Sequence, residues 1–177
     1  MRISALEEYG LRCLLTLAQA GTHGQLSISE IAEKEGLSIP YASKLLSILR
    51  RAELVKAVRG RGGGFCIARE PGEINLLEVI TAMGGPLIDD NHCDKYSGQL
   101  EKCIHTDNCM VQYALAGLSR LIGEFLSGTT LKMIMEGPGI SGITNIESRV
   151  NIAGKDYTDE LNKALNEDEA SSVENRQ

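Results

Sequence analysis

The sequence predicts a mainly α-helical protein with a small two-stranded β wing: a winged helix-turn-helix domain followed by a long dimerisation helix. Three observations lead there. Two short helical periods meet at Gly36, a Gly-rich β-prone hairpin follows them directly, and a long apolar helical period runs on from Cys109. At 177 residues, with 42% hydrophobic residues, the chain has material for one compact core and an appendage. No apolar run approaches the roughly 20 residues of a membrane span. Glu7 and Glu8 stand where a secretion signal would be apolar, so the chain is read as cytoplasmic, with no membrane partner.

The first helix is expected over Ser4 to Ala20, with Leu6, Gly10, Cys13, Leu14, Leu17 and Ala18 on its inner stripe and Ser4 in a capping box with Glu7. Cys13 falls on that stripe and reads as a small buried hydrophobe. Ser29 precedes a second, short helix that stops at Gly36, a C-cap residue by type. A third helix is predicted from about Pro40 to Ala52, its inner stripe Ala42, Leu45, Leu46 and Leu49, its end Arg50-Arg51.

Leu54 to Arg59 and Phe65 to Ala68 are the two strands of the wing, joined by a flexible cationic tip, Gly60 to Gly64. A nucleotide-cradling role for this Gly run is excluded, because no Gly-Lys-Ser/Thr follows and Phe65 takes the place of the third Gly of a dinucleotide motif. Asn75 to Met83 reads as a short buried helix closed by Gly84-Gly85-Pro86, and Leu87 to Asn108 as a loop. From Cys109 a helix of about 17 residues carries Leu115, Leu118, Ile122 and Phe125, with Met110, Val111 and Leu121 on other faces. That is more apolar surface than a small domain covers, so these residues are expected to pack against a second copy.

The predicted organisation is therefore a DNA-binding unit over 1–83, a cysteine-rich loop over 84–108, a dimerisation region over 109–136 and an acidic tail over 137–177. The tail is expected to be largely disordered, with a frayed helix over Asp159 to Leu165.

Charge is segregated along the chain. The net charge is −6, yet residues up to Glu70 hold 10 Lys and Arg against 7 Asp and Glu, and the remainder 8 against 17. Tyr41 to Glu70 alone holds seven cations (Lys44, Arg50, Arg51, Lys56, Arg59, Arg61, Arg69) and two anions, the footprint of a phosphate-binding face. Five cysteines are an odd number for a disulfide framework, and Cys93, Cys103 and Cys109 lie within 17 residues, as metal ligands would.

The helix-turn-helix, the wing Val58-Arg59-Gly60-Arg61-Gly62-Gly63-Gly64-Phe65, the three clustered cysteines and the long helix together resemble the iron-sulfur transcription regulators of the IscR/NsrR type, over about residues 1–135. That resemblance implies a homodimer that binds double-stranded operator DNA and holds a [2Fe-2S] or [4Fe-4S] cluster reporting redox, nitric oxide, iron or iron-sulfur status. It implies cluster ligands at Cys93, Cys103 and Cys109. It places Ser38, Pro40, Tyr41, Ser43 and Lys44 at the major groove, with Arg50 and Arg51 at the helix end and Arg59 and Arg61 on the wing. Relatives that carry Glu and Gln in mid-helix have Ser43 and Lys44 as counterparts here, so their base preference does not transfer.

The nine residues between Cys93 and Cys103 are more than the resemblance leads one to expect. For a fourth ligand, relatives use either a His three residues after the last Cys, which here is Gln112, or a first-helix carboxylate of the partner subunit, which here is Glu8. Glu7, His92 and His105 are the other donors, and zinc on three Cys and a His is the competing metal. The bland reading of Glu8 is an ion pair with Arg12, four residues on. Two further function classes are a cluster-free regulator of the same fold, switched by thiol oxidation or a partner, and an electron-transfer or radical enzyme built on the same cysteines. The enzyme is disfavoured because only three cysteines are clustered and no substrate-side His or Asp or nucleotide loop is evident.

Overall fold

The computed structural model describes residues 3–21, 24–60, 62–86, 95–105 and 109–137. Arg61, His92, Cys93 and the whole predicted tail helix lie outside the described residues. Helix α1, Ala5–Gln19, begins with the predicted capping box: the Glu7 N–H donates to Ser4 Oγ at 3.3 Å, and the Ser4 N–H donates to Glu7 Oε2 at 2.6 Å. Its buried side is Gly10, Cys13, Leu14, Leu17 and Ala18, as the stripe predicts.

Helix α2, Ile28–Glu35, is capped by Ser27 and not by Ser29. The reason is local: Ser27 has Glu30 three residues on, and the two close a capping box at 2.8 and 3.2 Å, whereas Ser29 has Ala32 there. The Ser27 hydroxyl, which donates to Glu30 Oε2 at 2.7 Å, and after it the Ser27 N–H hold the Glu30 carboxyl below the usual carboxylate range. Gly36 then takes φ 66°, and the Leu37 N–H donates to the Ala32 carbonyl at 2.8 Å, which turns the chain into the next helix.

Helix α3, Ile39–Arg51, starts with Ser38 as N-cap and Pro40 in the first turn, and buries Ala42, Leu45, Leu46 and Leu49 completely. It ends in a Schellman closure, Glu53 N–H to the Arg50 carbonyl at 3.1 Å and Leu54 N–H to the Leu49 carbonyl at 3.0 Å. Glu53 sits there at φ 58°, the left-handed region that disfavours a side chain. Glu53→Gly is expected to raise stability by about 0.5–1 kcal/mol, less than the full left-handed penalty because glycine also loosens the unfolded chain. Urea unfolding of the two proteins measures this, and an unchanged midpoint contradicts it.

Strands β1, Val55–Val58, and β2, Gly64–Ile67, pair antiparallel with Val55 opposite Ile67 and Lys56 opposite Cys66. Strand β1 is shorter than the predicted Leu54 to Arg59, whereas β2 has the predicted four residues set one position earlier; Val55 and Ile67 are buried at the base of the hairpin. The hairpin is joined to the residues before α2. Leu26 and Phe65 exchange backbone hydrogen bonds of 3.0 and 2.8 Å, and Gln25 Nε2 donates to the Gly62 carbonyl at 2.7 Å. Gly64 is needed for that approach, since a Cβ there would lie 2.3 Å from the Leu26 carbonyl oxygen.

A 3-10 turn, Pro71–Glu73, leads into helix α4, Leu76–Gly84, capped by Asn75 and one residue beyond the predicted end. Helix α5, Met110–Ser127, has Cys109 as its N-cap. It has about the expected length and ends inside the expected region 109–136. Gly128 breaks it, Thr130 caps a last short helix α6, Leu131–Met135, and Leu131 is fully buried in the same core as α1 and α3. Two backbone bonds stitch this return, Leu76 N–H to the Thr129 carbonyl at 2.9 Å and Leu131 N–H to the Ile74 carbonyl at 3.0 Å. Helix α5 itself is poorly covered, with only Gly117 and Leu126 buried. No helix among the described residues is long and apolar enough to cross a membrane.

Candidate DNA-binding face and cysteine centre

The first turn of α3 presents Ser38, Ile39 and Pro40 to solvent, with Lys44, Arg50 and Arg51 exposed further along and Ser43 half-buried. Tyr41 is shared with the interior: it is half-buried, its ring edge-on to Tyr9 of α1 at 6.0 Å between centroids. Lys56 and Arg59 stand exposed on the wing. Lys44, Arg50, Arg51, Lys56 and Arg59 have no carboxylate partner among the described residues, so their charge faces outward unneutralised. Arg69 differs from the other cations of this segment. It pairs with Glu78 of α4 and donates to the Glu73 carbonyl at 3.3 Å, which makes it a brace for the chain after the wing.

On α1, Glu8 is exposed, and the ion pair expected between Glu8 and Arg12 is not formed. Arg12 binds Glu35 at the end of α2 instead, through Nε to Oε2 at 2.8 Å and a second donor to the Glu35 carbonyl at 3.2 Å. Glu35 is nearly buried, accepts a further hydrogen bond from Thr16, and offers two-point contact that an exposed Glu8 four residues away does not. The Arg12 guanidinium also lies over the Tyr9 ring, 5.3 Å from its centroid. Glu7 is occupied as a cap at Ser4.

Cys109 does more than begin α5: its sulfur accepts the Gln112 N–H at 3.4 Å. Cys103 is half-buried, as is Cys109, and both are free thiols; His105 is exposed. Cys93 lies outside the described residues, and among those residues no group of three metal-ligating side chains gathers. Cys13 is fully buried, and burial pushes its thiol up to about 11. It stays protonated near neutrality and unsuited to metal binding. Cys66 is half-buried in β2 opposite Lys56.

The order of elements, the basic outer face of α3 and the wing together make a winged helix-turn-helix. A family profile named Rrf2 and described as an iron-dependent transcriptional regulator matches residues 3–137. The chain belongs to the Rrf2 family. Among its relatives, the HTH-type transcriptional regulator IscR of Sodalis glossinidius is 32% identical over 145 residues, 82% of this chain and 85% of that one.

Among solved structures, T. potens IscR is similar at a TM-score of 0.61 and 30% identity, over 80% of this chain and 91% of that one. CymR of B. subtilis, titled a global cysteine regulator, is similar at a TM-score of 0.59 and 29% identity, over 75% of this chain and 94% of that one. This Rrf2 chain is accordingly a DNA-binding transcription regulator and not an enzyme.

Sequence reasoning overlooked Ile39, Gln25 and Glu35. Ile39 could have been found by its place next to the Ser38 cap, outside the Ala42-Leu45-Leu46-Leu49 stripe. Gln25 and Glu35 act across 37 and 23 residues, and nothing local marks them.

Proposed function

We propose that this Rrf2 chain is a cytoplasmic homodimeric regulator whose sequence-specific operator binding is controlled by an iron-sulfur cluster. Cys93, Cys103 and Cys109 hold the cluster, and Glu8 of the partner subunit supplies the fourth ligand. The observation that carries this reading is Cys109: a free, half-buried thiol at the head of α5, already accepting a backbone N–H, on the helix whose apolar face is uncovered. Thiolates are the usual iron-sulfur ligands, and N–H donors to sulfur tune such centres. When bound, the cluster would supply iron that nitric oxide or oxygen can attack and that can itself be lost.

The chain's own residues do the rest. Leu118 and Phe125 are 50% and 39% exposed and, with half-buried Leu115 and Ile122, form the proposed dimer contact. Glu8 is free of Arg12 and therefore available to the partner's loop. Because α1 also carries Tyr9 against Tyr41, a carboxylate gained or lost on α1 biases the helix that meets DNA.

Anaerobic purification tests this. The expected result is a coloured dimer with stoichiometric iron and sulfide, whose operator affinity changes when the cluster is removed. Glu8→Ala and Glu8→Cys are expected to shift the spectrum and the cluster lifetime, and wild-type behaviour in both removes Glu8 from the ligand set. The similarity to CymR favours one second reading, a cluster-free thiol or partner switch on the same fold. Colourless anaerobic protein that still binds operator DNA supports that reading and overturns the first.

A further inference from the structure

The stretch from Ser38 to Leu49 contains no Arg, Asn, Gln, Asp or Glu. Arg or Lys reads guanine, Asn or Gln adenine, and Asp or Glu cytosine by hydrogen bonds in the major groove, so Lys44 is the one residue of those types over this stretch. What α3 offers over that stretch is a few hydroxyls, the Lys44 ammonium and an apolar edge. Ile39 is 54% exposed and neither belongs to the core nor packs against it. Pro40 beside it is exposed as well. In a helix-turn-helix the N-terminal residues of the second helix meet the base edges, and a first-turn side chain is tilted toward that end. The major-groove feature that rewards contact with an aliphatic side chain is the thymine 5-methyl group.

We propose that Ile39 and Pro40 form an apolar reading edge that recognises thymine methyl groups, so that base choice by this helix rests on methyl burial more than on paired hydrogen bonds. The inference rests on the reading of α3 as the operator-contacting helix. Ser43 and Lys44 contribute hydrogen bonds to the same groove, and the wing cations contribute affinity without sequence.

The test uses the full chain and a duplex operator selected by it from a random pool. Each half-site is expected to carry an invariant thymine. Deoxyuridine in its place keeps every hydrogen-bonding atom and removes only the methyl, and is expected to weaken binding about fourfold for each contacted methyl. Ile39→Ala combined with Pro40→Ala is expected to bind the thymine and uracil duplexes alike, with the salt dependence of wild type. Both positions are exposed, so the thermal melt of the variant checks that the fold is kept.

Wild-type protein that binds both duplexes equally overturns the inference, as does a selected site without an invariant thymine. A double variant that still discriminates overturns it too. All three leave the regulator intact. A chain that enriches no sequence at all overturns instead the operator-reading role of α3.

Discussion

Raising the salt from about 50 to about 200 mM is expected to weaken DNA binding by at least about a thousandfold, the low end of the roughly 10³–10⁵ loss for six to ten neutralised phosphates. Five cations, Lys44, Arg50, Arg51, Lys56 and Arg59, face outward without a carboxylate partner among the described residues, and the proposed dimer would double them. Each phosphate they neutralise releases counterions, so affinity falls linearly on a logarithmic salt axis. Arg59→Ala should reduce that slope by about one for each wing that loses its contact. Arg69→Ala should leave the slope unchanged, because that guanidinium is committed to Glu78 and the Glu73 carbonyl. Fluorescence anisotropy across a salt series measures both variants. Affinity that ignores ionic strength contradicts the assignment of this face.

Replacing Cys93, Cys103 or Cys109 by Ala is expected to abolish the chromophore outright, while Cys13→Ala and Cys66→Ala keep it. A cluster held by three thiolates does not survive the loss of one as a partial signal, so the three residues behave as a unit. Cys13 is excluded by burial: its thiol, pushed up to about 11, stays protonated at neutral pH. Cys66 is excluded by its place in β2.

Cys109 needs a control because its sulfur also caps α5, and losing a cap costs about 0.5–2 kcal/mol by itself. Cys109→Ser retains a capping atom and loses the thiolate. A colourless, normally folded Cys109→Ser assigns the loss to ligation, whereas a coloured Cys109→Ser would falsify the ligand set. Anaerobic absorption with iron and sulfide analysis reads every variant.

The sequence by itself determined what depends on neighbours a few residues apart. The Ser4–Glu7 cap, the Ala42-Leu45-Leu46-Leu49 stripe, the turn at Gly36 and the hairpin after α3 are all set by helical or strand periodicity and by caps within four residues. The same holds for the segregation of positive charge to the first 70 residues, which is a property of composition alone. The family resemblance rested on these local features, and the Rrf2 match over residues 3–137 agrees with it. The Ser27–Glu30 cap of α2 is equally local, since Glu30 stands three residues after Ser27.

Tertiary structure alone decided the partners that lie far apart in the chain. Local spacing offers Arg12 to Glu8, but the end of α2 brings up Glu35, nearly buried and able to take two hydrogen bonds, and a shielded two-point contact prevails over an exposed pair. Local composition makes Gly60 to Gly64 a loose tip, but the approach of Leu26 makes Gly64 a packing requirement. Periodicity gives the long helix after Cys109 its length, but not the return that follows it, in which Leu131 fills the core beside Ile74 and Val79. In each case the deciding term is burial against residues more than 20 positions away. Such a term has no period to read and exists only once the helices have met.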